Sequence, residues 1–380
     1  MVAVSVIKSA YHLQDQCPGK SYAILEMKDS FGGTWETHKY PGVRSDSDLY
    51  TFGYRFKPWV GTPIASGEEI LKYMGEVIEE NGIAPHIHYG HRITRAAWDS
   101  KSNLWTVDAV RKSDGASVTF TANFLWMCQG YYRQNDGYTP EWPGMDKYKG
   151  QIVHPQNWPD DIELKGKKVL MIGSGATAAT VLPAIADDCD HVTLLQRSPT
   201  YFIPGRNENE LADTLRVLKI DETWIHEIVR RKILHDQSVF TRRAFEESDK
   251  VRAELLAGVR AHVGPDFPME PHFTPSYRPW QQRIAFVPDG DLFKGIVSGK
   301  AYSHLVWEAM GMGQAFTELY FGHTLGLKLR FEEGDFAFFK EVRRNGASAA
   351  VAKRRELYAP LGGFGPDAEL EIVPRGRGEL

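Results

Sequence analysis

The sequence predicts an α/β protein with two strand–helix–strand units, the first of them incomplete, and a helical insertion after the second. Three observations carry that prediction. Between Gly166 and Ser198 an apolar run stops at a glycine turn, an alanine-rich stretch follows, and a second β-like run completes the unit. The residues up to Glu26 repeat the pattern without a glycine turn. From Asn207 to Gly264 the chain is charged and helical in period.

The second unit reads GKKVLMIGSGATAATVLPAIADDCDHVTLLQRS. Gly173 permits a tight turn out of the strand, Gly175 lets the backbone approach a pyrophosphate, and Ala178 is small enough for close helix–strand packing. Phosphates at such a helix start meet unpaired N–H groups and the positive end of the dipole. This is the pattern of a Rossmann-like dinucleotide site. An NAD site calls for an acidic residue at the end of the second strand; here the chain has Gln196-Arg197-Ser198. A guanidinium beside a hydroxyl suits a 2′-phosphate, so the site reads as one for NADP(H).

In the first unit VAVSVI reads as a strand, AYHLQDQC as a helix and SYAILE as a second strand with Glu26 at its end. Glu26 stands where a ribose-binding acid belongs. Only Lys8-Ser9 separates the first strand from the helix, and side chains occupy the approach that glycines normally leave open. Such a unit is not expected to bring backbone N–H groups onto a pyrophosphate in the usual way.

The composition is that of a soluble globular protein: 380 residues, 42% hydrophobic, 25% charged and a formal net charge of −4. That balance points to neither nucleic acid nor an anionic membrane. Cys17, Cys128 and Cys189 fit neither a disulfide framework nor a zinc site, and a cytoplasmic location follows. No apolar run approaches the roughly 20 residues that span a bilayer, and the start lacks a signal-peptide pattern. Peripheral membrane contact and oligomeric state are left open.

Between the two units, Phe31 to Trp59 is dense in Gly, Pro, Asp and aromatic residues and reads as an ordered loop lining a site. Gly67 to Asn81 is an amphipathic helix with Ile70, Leu71, Met74 and Val77 on one face. A β-meander follows, with turns at Asp99–Ser102 and Ser113–Gly115 and an apolar close at Phe124–Met127. His86, His88 and His91 lack Cys or carboxylate partners nearby and read as strand residues rather than metal ligands. After the insertion, Pro265 to Pro279 is a connection, and WQQRIAFVPDGDLFKGIVSGKA is a strand, a turn and a helix. The tail from Tyr302 offers one amphipathic piece, Phe336 to Leu357, a disordered end, PRGRGEL, and no glycine-terminated β-run that could return to a dinucleotide sheet.

Two longer motifs give the chain a family. Tyr148-Lys-Gly150-Gln-Ile-Val-His154-Pro-Gln-Asn-Trp158-Pro159 resembles the fingerprint F-x-G-x-x-x-H-x-x-x-W-P of the flavin-dependent Baeyer–Villiger monooxygenases, relatives of the flavin-containing monooxygenases, with Tyr replacing Phe. Their second signature, G-x-W-x-x-x-x-Y-P-G-x-x-x-D, is matched by Gly33, Trp35, Tyr40, Pro41, Gly42 and Asp46. The resemblance covers about residues 10 to 300. It implies that Glu26, Gly33, Thr34, Trp35 and Asp46 line the flavin and nicotinamide region. It also implies that Gly173, Ser174, Gly175, Thr177, Ala178, Arg197 and Ser198 hold NADPH. Arg283 matches the arginine that stabilises the flavin peroxide anion, a task suited to a side chain that cannot lose its charge, and Asp46 joins it as a catalytic candidate.

The domain division that follows is a FAD-binding-like domain over 1–145, an NADP-binding core over 146–206, a helical insertion over 207–270, a return segment over 271–300 and a divergent tail over 301–380. A truncated start and a replaced tail are expected to account for the family features the chain lacks. The implied function is NADPH- and FAD-dependent insertion of one oxygen atom from O2 into a ketone, or onto a sulfur or nitrogen centre, with a small ketone or thioether as substrate. The alternative is a degenerate NADP-binding protein without flavin or oxygenase activity.

Overall fold

The structure, a computed structural model, describes residues 3–130, 132, 137–140, 145–196 and 198–305. The chain divides into two compact units, Met1–Gly137 with Val153–Leu305 and Tyr138–Ile152 with Val306–Leu380. Every element named below belongs to the first. The amphipathic piece from Phe336 and the disordered end expected of the tail lie outside the described residues, as does Arg197.

The chain opens with α1 (Val4–Gln16), and here the sequence reading is corrected. Val4–Ile7, read as the end of a strand, instead enters the same helix as AYHLQ. Its β-branched residues favour a strand locally. Packing overrides that preference, because Ile7 and Ala10 fall one turn apart and both are buried. Tyr11 extends the contact by stacking on Phe56, with ring centroids 3.5 Å apart. The segment SYAILE contributes only β1 (Ile24–Leu25), followed by the one-turn helices α2 (Thr34–Thr37) and α3 (Leu49–Phe52).

Helix α4 (Gly67–Glu80) matches its amphipathic pattern. Ser66 and Glu69 form a reciprocal capping box, and Ile70, Met74 and Val77 are buried. Each such burial contributes about 1.5–3 kcal/mol. Strand β2 (Ile87–His88) pairs in parallel with β1, as a crossover through α4 requires. The meander is β3 (His91–Asp99), β4 (Leu104–Arg111) and β5 (Ser117–Ala122), antiparallel in that order. At its first turn the Asp99 carboxylate accepts from the Lys101 and Ser102 N–H groups.

The second α/β unit comprises β6 (Lys168–Ile172), α5 (Ala176–Ile185) and β7 (His191–Gln196), with the two strands parallel. Next come β8 (Tyr201–Gly205) and the insertion helices α6 (Glu210–Val217), α7 (Glu222–Glu246) and α8 (Ser248–Val263). The one-turn α9 (Met269–His272) leads to β9 (Ile284–Pro288), α10 (Asp291–Val297) and β10 (Ala301–Leu305). β9 pairs with β8, a strand the sequence reading missed because Pro204 signals a turn. β10 returns beside β7, giving the order β10-β7-β6. The returning run thus exists without the closing glycine by which the sequence reading identifies such strands.

Two cores result. One packs α5, α8 and α10 around β7 and β9, with Leu182, Val192, Val287, Leu292 and Phe293 buried. The other packs α1, α3, α4 and α7 around Tyr50, Tyr54, Met74 and Ile225.

Candidate functional site

The turn before α5 has the openness a dinucleotide phosphate requires. Gly173 has φ 114°, a conformation L side chains rarely adopt, and its N–H donates to Leu195 O at 2.8 Å. A Cβ built on Gly173 or Gly175 meets no atom within 4 Å. Gly175 is the N-cap and provides no side-chain cap for the first N–H groups of α5. Ala178 is buried behind them. The Ser174 hydroxyl donates to Ser198 O at 3.3 Å, tying the turn to the segment after β7. Thr177 hydrogen-bonds the buried Tyr40, whose phenol pKa burial raises. These residues fit a dinucleotide on their own geometry.

Glu26 directly follows β1 and is 2% exposed. Its Oε1 accepts from the Lys28 N–H at 2.8 Å. A cavity of about 530 Å³ is lined by Lys28, Glu36, Arg92 and Lys112 among others, residues with no motif to mark them in the sequence. Gly33 is the N-cap of α2, and Thr34 and Trp35 form its first turn, with Trp35 edge-on to Phe52. Thr37 links the two places, donating to Gly33 O at 2.7 Å and accepting from Lys28 Nζ at 2.7 Å.

Asp46 and Arg283, both singled out from sequence, are in direct contact. Asp46 sits in the aromatic loop and Arg283 immediately before β9. The loop is held from outside by the insertion. Arg230 donates to Tyr50 O and Thr51 O at 2.8 and 2.7 Å, and Arg216 donates to the Tyr50 hydroxyl at 3.2 Å. The Trp59 N–H donates to Nδ1 of buried His226 at 3.2 Å. Asn207 exchanges two hydrogen bonds with the Ile64 backbone.

The fingerprint residues divide between the two units. Tyr148 and Gly150 belong to the second, where the Tyr148 ring lies against Gly150. His154 and Trp158 belong to the first. His154 Nδ1 accepts from the Gln156 N–H at 3.1 Å, which caps the short turn Pro155–Asn157. Burial, and then the neighbouring His38, lower the His154 pKa. Trp158 packs against the core that contains α5. Among the described residues no helix is long and apolar enough to cross a membrane.

The flavin-binding monooxygenase-like family matches residues 64–238. The FAD-containing monooxygenase EthA of Mycolicibacterium smegmatis is 42% identical over 300 residues, 78% of this chain and 60% of its own. The probable FAD-binding monooxygenase AlmA of an Acinetobacter species is also 42% identical, with the same coverage. A steroid monooxygenase bound to NADP superposes with a TM-score of 0.65 at 22% identity, covering 81% of this chain and 64% of that one. Cyclohexanone monooxygenase from Rhodococcus sp. Phi1 bound to NADP+ gives 0.60 at 20% identity, with the same shares. The chain thus spans about 60% of the length of the curated relatives it matches. With 42% identity over that span and the family match across α4 to α7, the chain belongs to the flavin-binding monooxygenase family.

Proposed function

We propose that the chain acts as an NADPH- and FAD-dependent monooxygenase that inserts one oxygen atom from O2 into a ketone or onto a sulfur or nitrogen centre. The observation that carries this is the Asp46–Arg283 contact, which joins a loop residue to the start of β9. The domain division drawn from the sequence and a cytoplasmic location belong to the same reading.

Each residue has a definite task. The Gly173–Gly175 turn and the first N–H groups of α5 hold the NADPH pyrophosphate. Arg197 and Ser198 take the 2′-phosphate. Glu26 accepts from the FAD ribose, and the turn Gly33–Trp35 lines the flavin region. When bound, FAD supplies the oxygen chemistry and NADPH the hydride. Arg283 keeps a permanent positive charge where negative charge develops on oxygen, and Asp46 orients that guanidinium. The aromatic residues of the loop keep water away from the reacting atoms.

A second reading, an NADP-binding protein without flavin, draws on one observation. Val4–Gln16 is a single helix whose first turns carry Val, Ser, Ile and Lys side chains and no glycine. One experiment separates the two. The purified chain is assayed under labelled dioxygen with NADPH, added FAD and a panel of ketones and thioethers. The expected outcome is flavin held below stoichiometry, and a product carrying one labelled oxygen that disappears in Arg283→Ala while NADPH binding persists. No flavin bound and no product at saturating FAD leaves the second reading.

A further inference from the structure

The contact between Asp46 and Arg283 is not the sole charge pair between the loop and the return segment. Two residues earlier, Arg44 donates to both carboxylate oxygens of Asp291, at 2.5 and 3.2 Å. Its Nη2 also reaches Ala179 O on α5 at 3.5 Å. The loop thus presents a cation and then an anion, Arg44 and Asp46. The return segment presents Arg283 and then Asp291, and the two sets pair like with unlike.

The two pairs differ in their surroundings. The Arg44 and Asp291 side chains are 20% and 28% exposed. Those of Arg283 and Asp46 are 57% and 33% exposed. A forked guanidinium–carboxylate contact that is half-buried fixes orientation as well as distance. A more exposed pair is held weakly by itself. Arg44 also lies where the loop has least freedom. A Cβ on Gly42 would stand 2.8 Å from the Ala184 Cβ and 3.2 Å from Thr180 O, so the loop lies directly on α5. The Gly67 N–H donates to Val43 O and the Ser45 N–H to Ala65 O, each at 2.8 Å, fixing the backbone on both sides of Arg44. Asp291 is equally fixed: it opens α10, and its Oδ1 accepts from the Leu292 N–H at 2.7 Å.

We propose that Arg44 and Asp291 are positioning residues whose pairing holds the Asp46 carboxylate on Arg283. The inference rests on the reading of Asp46 and Arg283 given above, but the contact is tested without turnover. In the full chain, arginines are labelled with phenylglyoxal and the rate at each is read by mass spectrometry. In Arg44→Lys and in Asp291→Asn, Arg283 is expected to label about two- to fivefold faster, the range for losing an exposed ion pair. Asp46→Asn gives the same gain, and Arg44→Lys adds nothing on that background. Arg55, 69% exposed and paired with Glu227, keeps its rate as an internal control.

Asp291→Asn retains the oxygen that accepts from Leu292, so α10 keeps its start, and circular dichroism verifies that the variant is folded. The charge exchange Arg44→Asp with Asp291→Arg returns Arg283 labelling toward wild type, a rescue that general loosening of the fold does not produce. Wild-type labelling of Arg283 in folded Asp291→Asn and Arg44→Lys overturns the proposal. Faster labelling in a chain that oxygenates nothing upholds the positioning role and removes the functional reading instead.

Discussion

The turn before α5 and the loop from Tyr40 to Ser66 are built on opposite plans. In front of Gly173 and Gly175 the space is empty, and the groups on offer are backbone N–H. The loop is tied down by side chains from three directions: Arg44 reaches α10 and α5, Arg216 and Arg230 reach in from α6 and α7 respectively, and His226 receives the Trp59 N–H. A binding turn of this kind needs an absence of side chains, so damage to it shows in affinity. A positioning loop needs many charged anchors, so damage to it shows first in stability.

Four changes sharpen that contrast. The largest effect is expected for Arg230→Ala, which takes a charged donor from two backbone carbonyls. Urea unfolding should lose about 2–4 kcal/mol, with NADPH affinity nearly unchanged. Arg197→Ala should do the reverse, costing about 1.5–3 kcal/mol in NADPH binding and little in NADH binding or stability. Equal wild-type affinities for the two nucleotides, measured by titration, count against the 2′-phosphate assignment.

His226 adds a pH dependence. Burial first, and then Arg230, hold its imidazole below the ordinary value near 6.5. The unfolded chain therefore binds a proton that the folded one refuses. The stability His226 confers is present above that ordinary value and is lost as pH falls from it through the folded pKa. His226→Gln should flatten the fall in unfolding free energy between about pH 7.5 and 5.5, by roughly 1 kcal/mol or less. A profile as steep as wild type would falsify this account of His226. The smallest effect is expected on the meander, where the Arg95–Asp108 pair is exposed. Arg95→Ala should change unfolding by less than about 1 kcal/mol.

Much of this was legible in the residues themselves, for identifiable reasons. The second α/β unit could be read because Gly173 and Gly175 mark where one period ends and the next begins. The first unit offered no such mark. Val4, Val6 and Ile7 therefore read as strand by type, although the spacing of Ile7 and Ala10 already fitted a helix face. β8 was hidden by Pro204, which a two-stranded parallel pair tolerates at its edge. β10 carries Ser303 and His304 and no closing glycine, and only its pairing with β7 identifies it. Of the site, Asp46 and Arg283 were found through motifs. Arg44 and Asp291 were not, because 247 residues separate them and neither position looks unusual until the chain has folded.

The strand order β10-β7-β6 has a consequence for the order in which the molecule is made. The dinucleotide turn is synthesised early in its unit, but β7 waits for β10, and β8 waits for β9, until the whole α6–α8 insertion has emerged. Long-range parallel pairings of this kind close slowly, since the chain loses loop entropy before it gains contacts. During that interval Val192, Leu194 and Phe202 have no permanent cover, and chaperone demand should fall mainly on nascent chains halted between β8 and β9.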